Sequence, residues 1–146
     1  MLKKIIGAIL VIMAILVAGQ TILEPLYHTS TEEQPYSHFW NILGHLMTLT
    51  LVLSLIFSYI RKKGVNSGDA ITREYLAANI QFYGLLFVGI MFLWNWFNSL
   101  SPAFTAIGAD TVTFVWILID ASLPLLWGAM GISFCCPTAS KGLSDD

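Results

Sequence analysis

Four stretches of this chain are each long and apolar enough to cross a lipid bilayer, and nothing else in the sequence limits the fold as much. A helix needs about 20 mostly apolar residues to span the hydrocarbon core. The stretches at about 5–23, 39–60, 75–97 and 112–134 meet that requirement. The expected fold is all-α: an integral membrane protein with four transmembrane helices, forming a single domain over residues 1–146.

Composition agrees. Hydrophobic residues make up 56% of the chain and charged residues 11%, with a mean hydropathy of +0.72. Soluble domains carry about 25% charged residues, so this chain cannot cover a water-facing surface and lipid is most of its solvent. The net charge of −2 excludes a strongly basic nucleic-acid binder. The sequence has no Gly-rich phosphate loop, zinc-finger spacing or nucleophile elbow. No catalytic residue is assigned, and the chain is not expected to be an enzyme by itself, although it fits within a membrane enzyme complex. Cys135 and Cys136 are adjacent, a spacing that strains a disulfide and matches no structural zinc site. They read as two small apolar residues at a helix end.

The connections carry turn chemistry. Lys3, Lys4 and the small residues Ala18 and Gly19 give the first stretch the look of a secretory signal; it is expected to stay as an uncleaved first helix. Glu24–Pro25 is expected to end it, because proline cannot continue the hydrogen-bond ladder. A Gly-rich polar hinge follows the second stretch at 64–69, Ser101–Pro102 opens the next connection, and the polar tail after Pro137 is expected to be mobile. Tryptophans near span ends (Trp40, Trp94, Trp96, Trp116 and Trp127) suit the membrane interface.

Charge gives an orientation. The seven basic residues are Lys3, Lys4, Arg61, Lys62, Lys63, Arg73 and Lys141. All fall in the N-terminal stub, the loop at 61–74 or the tail at 135–146, which four crossings place on one side. Basic residues are retained on the cytoplasmic side, so both termini are expected there, in the cytoplasmic or a derived intracytoplasmic membrane. The loop at 24–38 then faces outward with Glu24, His28, Glu32, Glu33 and His38.

Polar residues inside spans are the functional candidates, because they are costly in lipid and face protein or water. Asp120 lies about nine residues into the fourth stretch, roughly 13 Å deep, with Pro124 four residues later. It reads either as a proton or cation site, with His45 as a companion, or as a protonated or hydrogen-bonded carboxyl buried against another helix. His38 and His45 share a helix face but stand about 10 Å apart along the axis, too far for one metal ion. Each is a separate candidate ligand for a haem, a pigment or copper. His28, Glu32 and His38 offer the imidazoles and carboxylate of a divalent-metal site in the outer loop. Ala77, Gln81, Gly84, Val88 and Asn95 form a small-and-polar stripe on the third stretch. Ala121, Gly128 and Gly131 are close-contact positions on the fourth.

These residues support three functions. The first is a non-catalytic accessory subunit that stabilises a larger integral membrane complex by helix packing, using the stripe and the tryptophans as contacts. The second is a small transporter or channel, working as a homo-oligomer through Asp120. The third is a cofactor-bearing subunit using His45 or His38. The lipid bilayer is a partner in all three.

Overall fold

Lipid offers no hydrogen bonds, so a spanning backbone has to satisfy its own N–H and C=O groups, which a helix does. The computed structural model describes residues 1–31, 34–65, 72–101 and 108–136 and is all-α. Its helices are α1 (Leu2–Tyr27), α2 (Phe39–Gly64), α3 (Arg73–Leu100) and α4 (Ala109–Cys135). All four are long and apolar enough to cross a membrane. Of the hinge at 64–69, Gly64 closes α2, and residues 66–69, with Pro102, Glu32, Glu33 and the tail at 137–146, lie outside the described residues.

The helices extend past the apolar windows at most ends. They run 26, 26, 28 and 27 residues, or about 39–42 Å against a hydrocarbon core of about 30 Å. The additional turns are polar and suited to headgroups. Arg61, Lys62 and Lys63 occupy the last turn of α2, where cations favour the negative end of the helix dipole. Thr72 caps α3 by accepting the Tyr75 N–H at 3.1 Å, and Glu74 lies in that first turn.

The expectation that Glu24–Pro25 ends the first helix is corrected: α1 continues to Tyr27. Proline removes only the bond from its own nitrogen, and the next turn still forms, with His28 N–H donating to the Glu24 carbonyl at 3.0 Å. Side chains reinforce that turn. Glu24 accepts from the Tyr27 hydroxyl at 2.8 Å, the Ser37 N–H at 2.7 Å and the Ser37 hydroxyl at 2.9 Å, and Gln20 also donates to it. Pro124 likewise lies inside α4 without ending it.

The helices pack in a closed ring, α1 on α2, α2 on α3, α3 on α4 and α4 on α1, and sequence neighbours run antiparallel, with His45 beside Trp96 and Lys62 beside Tyr83, and Gln81 beside Leu126 and Asn95 beside Val112. Both described chain ends meet at one end of the bundle, where the Cys135 thiol donates to the Lys4 carbonyl at 3.8 Å. The core is filled by Leu10, Val17, Leu43, Leu51, Leu85, Phe92, Leu123 and Trp127.

The closest approach is between α1 and α4. A Cβ built on Gly131 would lie 2.6 Å from the Gly7 carbonyl oxygen, and one on Gly7 would lie 2.8 Å from the Gly131 carbonyl oxygen. Only glycine on both helices permits that distance. Trp127 departs from the interfacial expectation: it is 0% exposed, and its indole N–H donates to Ser54 Oγ at 3.1 Å. Ser54 in turn donates to the Leu51 carbonyl at 2.8 Å. An indole paired this way can sit in the core rather than at the interface.

Candidate functional site

The small-and-polar stripe of α3 is used within the bundle. Gln81 donates to the Leu126 carbonyl at 3.0 Å, and a Cβ on Gly84 would meet a Leu126 methyl at 3.2 Å. Val88 and Asn95 are buried on the same side. Ala77 departs from this set. It is exposed, and its neighbour Ala78 takes the inward position at 1% exposure, because one residue turns a helix by 100°. On α4, Gly131 is a close contact, whereas Gly128 has only Ala14 Cβ near it, at 3.9 Å, and Ala121 is exposed.

Unpaired polar atoms gather toward the end of the bundle where α1 ends and α2 begins. Among the described residues, the buried side-chain atoms without a hydrogen-bond partner are Trp40 Nε1, Asn95 Oδ1, Asn98 Nδ2 and Asp120 Oδ1. Trp40 opens α2, Asn95 and Asn98 close α3, and Asp120 lies in the N-terminal half of α4. Asn95 is half satisfied, since its Nδ2 donates to the Val112 carbonyl at 3.2 Å.

Asp120 is 9% exposed and lines a cavity of about 550 Å³ between the C-terminal end of α1, the N-terminal half of α4 and the segment that joins α1 to α2. Glu24, His28, Tyr36, Trp40 and Trp116 line it as well. The Tyr36 hydroxyl donates to Thr113 Oγ1 at 3.4 Å, tying the loop to α4. His28 Nε2 donates to the Gln34 carbonyl at 3.2 Å. The Gln20–Glu24–Tyr27–Ser37 network that anchors the loop stands beside this cavity.

His45 is elsewhere. It is exposed on the outer surface of α2, about 9 Å from the start of the helix. Its Nδ1 donates to the Asn41 carbonyl at 2.6 Å, and its ring meets Trp96 edge-on with centroids 5.3 Å apart. A carbonyl only accepts, so Nδ1 carries the proton in this bond, and no hydrogen bond among the described residues engages Nε2. His38 precedes α2 and is exposed. The structure does not bring His45 and Asp120 into one cavity. Among the described residues, no three His, Cys, Asp or Glu side chains cluster as a metal site, and Glu32 of the proposed set with His28 and His38 lies outside them.

Sequence reasoning missed Gly7, Ser54 and the aromatic lining of the cavity. Gly7 was legible in principle, because Gly7 and Ala14 are small residues seven apart on one face of α1. The pairing of Ser54 with Trp127 has no sequence signal. No family model matches the chain, and neither a curated protein nor a solved structure does.

Proposed function

We propose that this protein is a non-catalytic accessory subunit of a larger integral membrane complex, which it stabilises by helix packing across its α2–α3 face. The observation that supports this is His45. A polar imidazole exposed on a membrane-spanning helix is unfavourable unless another group covers it. A polar group on a neighbouring helix would pair with Nε2. In gentle-detergent purification from the native membrane, the protein is expected to elute with larger subunits at fixed ratio. His45→Phe, which keeps an aromatic ring but removes both ring nitrogens, is expected to weaken that association about fivefold. Recovery as a homo-oligomer alone, or unchanged association of the variant, would contradict the reading.

The same geometry favours a second reading, a cofactor-bearing subunit. An Nδ1–H held by a backbone carbonyl fixes a histidine's tautomer and leaves Nε2 as the ligand. The residue suits an axial position on a haem or pigment, or one position on copper shared with another chain. Loss of a visible absorption band in His45→Phe with the complex still assembled would select this reading.

Both termini are assigned to the cytoplasmic side, in the cytoplasmic or a derived intracytoplasmic membrane. Support comes from Lys3, Lys4, Arg61, Lys62, Lys63 and Arg73, which stand at one end of the antiparallel bundle. Cys136, exposed at that end, is expected to resist a membrane-impermeant maleimide in intact cells and to react in inverted vesicles. A cysteine introduced at Ser30 is expected to do the opposite, and the reverse pattern would invert the topology.

A further inference from the structure

We infer that the outer-end cavity is a binding site for a small organic cation, an alkylammonium group held by Asp120 and the rings of Tyr36, Trp40 and Trp116. Asp120 is more than nine-tenths buried, lines the cavity, and keeps Oδ1 without a partner among the described residues. A buried carboxyl left unpaired is costly. The bundle supplies no cation to it: the described lysines and arginines all stand at the opposite end. A bound alkylammonium would provide the counter-charge.

The walls select among cations. A hard divalent ion takes six or more oxygen ligands. Here both Glu24 oxygens are engaged, Oε1 by the Ser37 N–H and Oε2 by the Ser37 and Tyr27 hydroxyls. His28 Nε2 is engaged by the Gln34 carbonyl. Asp120 is therefore the carboxyl left free. Aromatic rings instead suit a diffuse, weakly hydrated cation, which they attract through the quadrupole of the ring face. The cavity of about 550 Å³ falls within the usual 300–1,000 Å³ of small-molecule sites. The outer segments contain Glu24, Glu32, Glu33 and Asp110 and no lysine or arginine, so the local field draws cations toward the mouth of the bundle.

A free quaternary amine and a phosphocholine headgroup present the same ammonium, and the experiment separates them. Full-length protein in a maltoside detergent is titrated calorimetrically with choline, with dihexanoylphosphatidylcholine, and with 3,3-dimethylbutan-1-ol, the neutral isostere of choline. Saturable binding of choline identifies a free solute, and binding of the phospholipid alone identifies a headgroup. In either case the neutral alcohol is expected not to bind. Asp120→Asn is expected to weaken binding at least about tenfold, and Trp116→Leu, which retains the carboxyl, about fivefold. No saturable heat from either ammonium probe, equal binding of the alcohol, or affinity unchanged in Asp120→Asn overturns the assignment. If Asp120→Asn does not fold, Trp116→Leu and the alcohol comparison on the wild-type protein decide in its place.

Discussion

Gly131→Val is expected to destabilise the bundle by about 3 kcal/mol, the upper end of what overpacking does in a close-packed interior. The Cβ it introduces would lie 2.6 Å from the Gly7 carbonyl oxygen, 2.7 Å from Val11 Cγ2 and 3.1 Å from the Val11 nitrogen. Two of those atoms are backbone, so no change of rotamer relieves the contact and α1 has to move away from α4. Gly128 provides the control. Its Cβ would meet only Ala14 Cβ at 3.9 Å, so Gly128→Ala is expected to be neutral or to add up to about 1 kcal/mol through helix propensity. Denaturant titration of the purified variants in bicelles, followed by circular dichroism, measures both. Equal losses at the two positions would mean that the approach of α1 to α4 is not what makes glycine necessary.

Trp127→Ala is the second large effect, with an expected cost of about 3–5 kcal/mol. Lipid is as apolar as the core, so transfer of area contributes little, and the loss comes from packing around the cavity left behind. Trp127 and its neighbours Leu123 and Met130 are 0% exposed, so few groups can shift to fill the space. The hydrogen bond is the smaller part. Ser54→Ala strands the indole N–H in the core and is expected to cost about 1 kcal/mol, and Trp127→Phe loses the same bond while keeping most of the ring. The same titrations, arranged as a double-mutant cycle over Trp127 and Ser54, separate packing from hydrogen bonding. A Trp127→Ala loss below that of Ser54→Ala would show that the indole does not organise the centre of the bundle.

The stripe of α3 and the two candidate sites show where sequence reading stops. Spacing alone places Gln81, Gly84, Val88 and Asn95 on one face. It does not say whether that face meets another chain or α4 of the same chain, and Gln81 settles this by bonding the Leu126 carbonyl. Ala77 shows the sharper limit: a shift of one residue moves the inward position to Ala78. Asp120 was legible as a costly intramembrane carboxyl, but its want of a partner and its place in a cavity with Tyr36, Trp40 and Trp116 depend on three separated segments converging. His45 was legible as a candidate ligand. The bond to Asn41 and the edge contact with Trp96 that fix its ring were not.

The sequence by itself determined that the chain makes four membrane-spanning helices, because backbone satisfaction in lipid leaves an apolar run of about 20 residues little other choice. Each such decision is local and needs no neighbour. Only the tertiary structure decided that α1 and α4 touch through Gly7 and Gly131, that Trp127 lies in the core with Ser54, and that Asp120 ends in a cavity while His45 faces outward. Helices that are apolar around most of their circumference leave the sequence little to announce which side turns inward. Fit between small residues, ring edges and hydrogen-bonding groups makes that choice, and fit exists only once the helices are together.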